Sequence, residues 1–171
     1  GSLLGVSNNG GYDVWIIKLD ANGNLQWQKL LGGVSNDNIS GFSGGAVKRT
    51  SDGGYVVAAY SSSSNSGTLT GVINNGAPNN TPDFWIIKLD GFGNLQWQKL
   101  LGGTDIEYSY AIIQTTDGGY VAIGASASGN TGTLTDYTSN GDMDAWIVKL
   151  DNLGNLQWQK LLGGINQDYV Y

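Results

Sequence analysis

The eleven residues GNLQWQKLLGG occur three times without one substitution, at 23–33, 93–103 and 154–164. Copies this faithful point to a chain built by stacking like on like, where each copy must fit the surroundings set by the next. The match extends upstream to DVWIIKLDANGNLQWQKLLGG (13–33), DFWIIKLDGFGNLQWQKLLGG (83–103) and DAWIVKLDNLGNLQWQKLLGG (144–164). The leading tryptophans, Trp15, Trp85 and Trp146, lie 70 and 61 residues apart. Between them a second block recurs, TSDGGYVVAAYSSS (50–63) and TTDGGYVAIGASAS (115–128). That period is too long for one solenoid rung and suits a four-stranded unit.

Alternation of apolar and polar residues gives each unit four strands, A to D. Strand A is expected at 46–50 and 111–115, and strand B at 54–61 and 119–126 after a tight Asp-Gly-Gly turn. Strand C is WIIKLD, with Trp15, Ile17 and Leu19 on one face and Ile16 and Lys18 on the other. Strand D is LQWQKLL, where Leu25 and Trp27 face away from Gln26 and Gln28. The C–D connection carries Asp20 and Gly23, Asp90 and Gly93, Asp151 and Gly154 at fixed positions, with Ala21, Gly91 or Asn152 between. Aspartate can bind the turn backbone and glycine can take the positive φ that closes a hairpin.

The expected organisation is a C–D half unit (1–33), two full units (34–103 and 104–164) and the start of another (165–171). The ends align with interior segments: 1–10 with the B–C linker 67–76, and 165–171 with 104–110. Ten strands in two and a half units leave sheet edges and faces for a neighbour, either adjacent repeats of a longer chain or further copies of this one. The fold class expected is all-β, made of antiparallel units packed as β-propeller blades, incomplete or completed by an oligomer. Paired sheets without radial closure are the structural alternative. Small residues in strand B (Ala58, Ala59, Gly124, Ala125) would let sheets approach closely.

Composition narrows the function. The 171 residues carry a net charge of −6, and six of the eight basic residues occupy equivalent repeat positions, which gives a nucleic-acid backbone no cationic patch to bind. The absence of both His and Cys removes Ser-His-Asp and Cys-His nucleophiles and thiolate zinc sites. No apolar run is long enough to suggest membrane insertion.

The pattern D-x-W-I-I-K-L-D-x-x-G-N-L-x-W-x-K-x-L-G-G, followed by x-x-D-G-G-Y-V-x-x-G, resembles the seven-bladed propeller-like repeats of secreted bacterial surface proteins. The tryptophan in strand D is closest to variants from the Bacteroidetes group. The resemblance covers nearly the whole chain. The insertion at 41–45 and the long B–C linkers depart from the pattern and bear on blade number. The resemblance implies an extracellular or cell-surface, non-catalytic module and assigns no active residues.

Few residues suggest chemistry. Asp20-Ala21-Asn22-Gly23-Asn24 looks slightly like the start of a calcium loop but lacks the closing glutamate. Asp136, Asp142 and Asp144, with Asn140 among them, form a better candidate calcium or ligand loop if they converge, against a solvated linker as the bland alternative. The acids Asp37, Glu107 and Asp168 align and are expected in the D–A connections. Asp13, Asp83 and Asp144 precede strand C in each copy. No acid pair stands out as catalytic. Trp27, Trp97 and Trp158, at one strand phase, are expected between packed sheets. The rival role is stacking on sugars, with Gln26, Gln28, Gln96 and Gln98 as polar contacts. Tyr108, Tyr110, Tyr169 and Tyr171 group near a unit junction. Pro78 and Pro82 argue against a regular strand in the 61–82 linker. The leading expectation is a structural or adhesion scaffold that self-associates. A glycan-binding propeller using the 61–82 and 126–143 loops is the alternative.

Overall fold

The computed structural model describes residues 5–40, 45–76, 79–139, 141–168 and 170. Pro78, Asn140, Tyr169, Tyr171 and positions 41–44 of the insertion lie outside these residues. The chain is all-β. Its strands are β1 (Val14–Leu19), β2 (Leu25–Leu31), β3 (Asp37–Asn38), β4 (Val47–Arg49), β5 (Tyr55–Ser61), β6 (Asp83–Leu89), β7 (Leu95–Leu101), β8 (Glu107–Gln114), β9 (Tyr120–Ser126), β10 (Asp144–Leu150) and β11 (Leu156–Leu162).

They form three antiparallel sheets that do not close into a ring. The first is the hairpin β1–β2. In the second, β5, β6 and β7 run in order, and the short β3 and β4 both pair with β5. The third is β8–β9–β10–β11. Strands B, C and D therefore fall where the alternation places them. Strand A does not. It begins earlier, at Asp37 and Glu107, and in the second sheet it is split in two by the segment that carries the insertion.

Each C–D hairpin is closed by its own repeat residues. In the first, Asp20 Oδ1 accepts the N–H groups of Asn22 and Asn24 at 2.8 Å, and Oδ2 accepts the Asn24 side-chain amide at 2.9 Å. Gly23, Gly93 and Gly154 have φ of 81°, 77° and 80°, which side chains with a β-carbon avoid. The same bonds recur at Asp90 and Asp151. These bonds to Asn24, Asn94 and Asn155 hold the three carboxyls below their usual titration range. An aspartate whose oxygens face amide donors is a turn brace, which gives D-x-x-G-N a local cause.

The sheets stack face to face in sequence order. Between the first and second lie Val14, Ile16 and Leu31 against Val57, Ala59, Trp85, Ile87 and Leu89. Between the second and third lie Val56, Ala58, Phe84 and Ile86 against Ile112, Ala122, Trp146, Val148 and Leu150. Successive residues of a strand point to opposite faces, so β6 serves both joints and is buried along its whole length. The small residues of strand B do allow close approach. A β-carbon on Gly124 would collide with the Phe84 ring and the Tyr108 carbonyl.

Candidate functional site: the joint between repeats

Trp27 and Trp97 have the same surroundings one repeat apart. Trp27 meets Tyr55 edge to face at 5.6 Å, and Trp97 meets Tyr120 at 5.5 Å. Each indole also lies on the hairpin glycine of the next repeat. A β-carbon on Gly93 would come within 2.9 Å of the Trp27 ring, and one on Gly154 within 2.8 Å of Trp97. The unsubstituted glycine thus does two jobs: it closes its own turn and seats the previous repeat's tryptophan. Trp158 has no such seat among the described residues and is 46% exposed.

The other tryptophan series is graded in the same way. Trp85 and Trp146 are fully buried, whereas Trp15 is 42% exposed. Each donates its indole N–H to the second glutamine of Q-W-Q, at 3.1 Å for Trp15–Gln28, 3.0 Å for Trp85–Gln98 and 2.9 Å for Trp146–Gln159. Gln98 and Gln159 also donate to the Thr68 and Thr133 carbonyls. Gln28 and Gln98, considered above as sugar contacts, are committed to the packing of Trp15 and Trp85. Gln96 accepts the Lys88 ammonium at 2.8 Å and lines a cleft of about 440 Å³ with Asp52, Trp97 and Tyr120.

Two recurring patterns of the repeat meet at the first two exits from strand D. The S/T-G-T-L-T segments form 3₁₀ turns at Gly67–Leu69 and Gly132–Leu134, and their leucines are fully buried. Thr68 and Thr133 bind the first glycine of L-G-G from both sides, accepting its N–H and donating to its carbonyl. At the other end of the strands, the K-L-D lysine reaches the D-G-G aspartate: Lys88–Asp52 and Lys149–Asp117, both 2.8 Å. The Lys88 hydrogen bond, with help from Thr50, lowers Asp52 to about 2. This contribution is present above the usual carboxylate range and lost as pH falls towards 2. Acid titration followed by tryptophan fluorescence is expected to show loosening below about pH 4.

Of the aligned acids, Asp168 lies in the connection after strand D, as expected, but Asp37 and Glu107 do not. Asp37 and Glu107 are the first residues of strand A and are fully buried. Asp37 accepts the Ser61 and Ser63 hydroxyls and the Gly33 N–H. Glu107 accepts the Ser126 hydroxyl at 2.6 Å and the Gly103 N–H at 2.9 Å. Asp168 repeats the amide contact with Gly164 at 2.7 Å. Opposite them stand Asp13, Asp83 and Asp144, and the first glycine of L-G-G lies between the two acids of each pair. A β-carbon on Gly32, Gly102 or Gly163 would collide with both carboxyls. The glycine is required by that close approach.

The candidate ligand loop does not assemble as expected. Asp144 is buried against Gly163, whereas Asp136 and Asp142 are exposed. Asp136 takes φ of 72°, and its N–H binds the Asn130 side chain. Among the described residues no three acids gather as a metal-binding group. No described helix is long and apolar enough to cross a membrane.

Neither a family model nor a curated protein matches the chain.

Proposed function

We propose that this chain is a non-catalytic scaffold repeat that associates head to tail, each four-stranded sheet serving as one propeller-like blade. The resemblance to seven-bladed propeller-like repeats places it, as an expectation, in a secreted or surface protein of bacteria with an adhesive or spacing role. One observation carries the assembly. The outward faces of the first and third sheets correspond to the two halves of a joint that recurs twice inside the chain. The first sheet turns out Trp15, Ile17 and Leu19, equivalents of the buried Trp85, Ile87 and Leu89. The third turns out Ile113, Trp158 and Leu162, and Trp158 is the equivalent of the seated Trp27 and Trp97. Gly23, the equivalent of the two occupied seats, has open space beside it.

Such a joint is heterologous: one face of a copy meets the other face of the next. It is largely apolar, so its strength should depend little on salt. Sedimentation velocity across a concentration series should show association of the wild-type chain. Trp15→Glu and Trp158→Glu should each sediment as monomers. Mixed one to one, they should form a dimer and nothing larger, since one sound face remains on each partner. Monomeric wild type at all concentrations, or a mixture that stays monomeric, would remove the assembly role.

A further inference from the structure

Asp83 opens β6 of the second sheet and Glu107 opens β8 of the third, so their carboxyl groups meet across a joint. Both residues are fully buried. Three of the four carboxyl oxygens have donors: Asn75 N–H on Asp83 Oδ2 at 2.9 Å, Gly103 N–H on Glu107 Oε2 and the Ser126 hydroxyl on Glu107 Oε1. The fourth, Asp83 Oδ1, is buried without one and lies 2.7 Å from where a β-carbon on Gly102 would sit, the same point that Glu107 Oε2 approaches. Asp13 Oδ1 is likewise buried without a donor, across Gly32 from Asp37.

Among the described residues no cation is paired with either acid. Around the Asp83–Glu107 pair stand Asn75 from the preceding loop, Ser61 opposite Asp83 on β5, Ser126 and Ser128 from the end of β9, and the turn carrying Asp105. Asp105 is the ionisable group among them, and it is exposed. The ion pairs Lys88–Asp52 and Lys149–Asp117 lie at the opposite end of the strands. Two unpaired buried charges are strongly unfavourable, and a carboxyl group that keeps its proton becomes a donor where one is missing.

We infer that the acid pairs at the two joints, Asp83–Glu107 and Asp13–Asp37, are buried proton-binding sites, each holding a proton between adjacent sheets that latches one repeat to the next. Losing the proton sets two like charges on either side of the joint and weakens it. Burial pushes Asp83 up to about 6 and Glu107 up to about 7, with the Asp83 charge adding to the latter. Burial raises Asp37 too. Carboxyls of an unfolded chain titrate near 4, so between about pH 4 and pH 7 the folded chain holds protons the unfolded chain has released. Stability from this source is complete below that window and falls as pH rises through it. The inference concerns joints within one chain and does not depend on assembly between chains.

Thermal melts of the full chain at pH 5, 6.5 and 8, in EDTA, test it. The melting temperature is expected to fall by roughly 5–10 °C from pH 5 to pH 8. Asp83→Asn should reduce that slope, and Asp37→Asn with Asp83→Asn together should remove most of it. Carboxyl carbon-13 titration of the wild type requires no variant to fold: one member of the Asp83–Glu107 pair should titrate at pH 6 or above, unlike Asp20 and Asp90. A melting temperature that is flat or rises over this range overturns the inference, as does titration of both carboxyls below pH 5. Recovery at pH 8 by millimolar calcium chloride, lost in Asp83→Asn, would replace the proton with a divalent cation.

Discussion

Trp85→Ala is expected to destabilise the fold by about 3–5 kcal/mol, whereas Trp15→Ala, the same repeat position one unit earlier, should cost under about 1 kcal/mol. The two indoles have the same chemistry and the same hydrogen bond, to Gln98 and Gln28 respectively. They differ in what lies over them. Trp85 is covered by Val14, Ile16 and Leu31 of the first sheet, so its removal leaves a cavity in a dry joint. Trp15 faces outward, and water fills what its removal opens. Urea unfolding of the two variants, with a check that the slope is unchanged, measures both values. At protein concentrations where the chain is monomeric, equal losses would mean that local strand packing, rather than contact between sheets, holds the repeat tryptophans.

Gly102→Ala should cost about 3 kcal/mol or more, from a single added methyl group. Its new carbon would lie 2.7 Å from the Asp83 carboxyl carbon and collide with Glu107, and both acids are held in place by their donors. Gly118→Ala is the contrast. Its φ is 82° with nothing within 4 Å of the new carbon, so the cost is that of left-handed backbone alone, about 1–2 kcal/mol. Comparing the two by chemical denaturation separates close approach from backbone strain. A Gly102→Ala chain as stable as wild type would show that the acids do not converge there.

Much of the fold was legible because strands B, C and D alternate cleanly and their turns carry Asp, Gly and Asn where a hairpin needs them. Strand A was misread at its start for a physical reason. Its inward positions Glu107 and Ser109 are polar, and polar alternation reads as solvent-facing. Much of the compensation for their burial comes from groups far away in sequence: Ser126 for Glu107, beside the nearby Gly103 N–H, and the Ala59 carbonyl for Ser109. No local pattern reveals such partners. The alignment of Asp37, Glu107 and Asp168 was the available signal, since an acid kept at one strand phase, each time shortly after L-G-G, marks a fixed contact. The Q-W-Q glutamines were open to two roles because the sequence does not say that the Trp15 indole reaches diagonally across the hairpin to Gln28, which stands opposite Ile17. Asp136 and Asp142 invited a metal-loop reading through spacing alone, and both are exposed.

The middle sheet contributes to both cores, while the first and third sheets share neither. Loss of order in β5, β6 and β7 would uncover an inner face on each outer sheet at once. A chain assembled from copies would therefore melt as a single block, and the fraying expected of a modular array would be confined to its two outermost sheets.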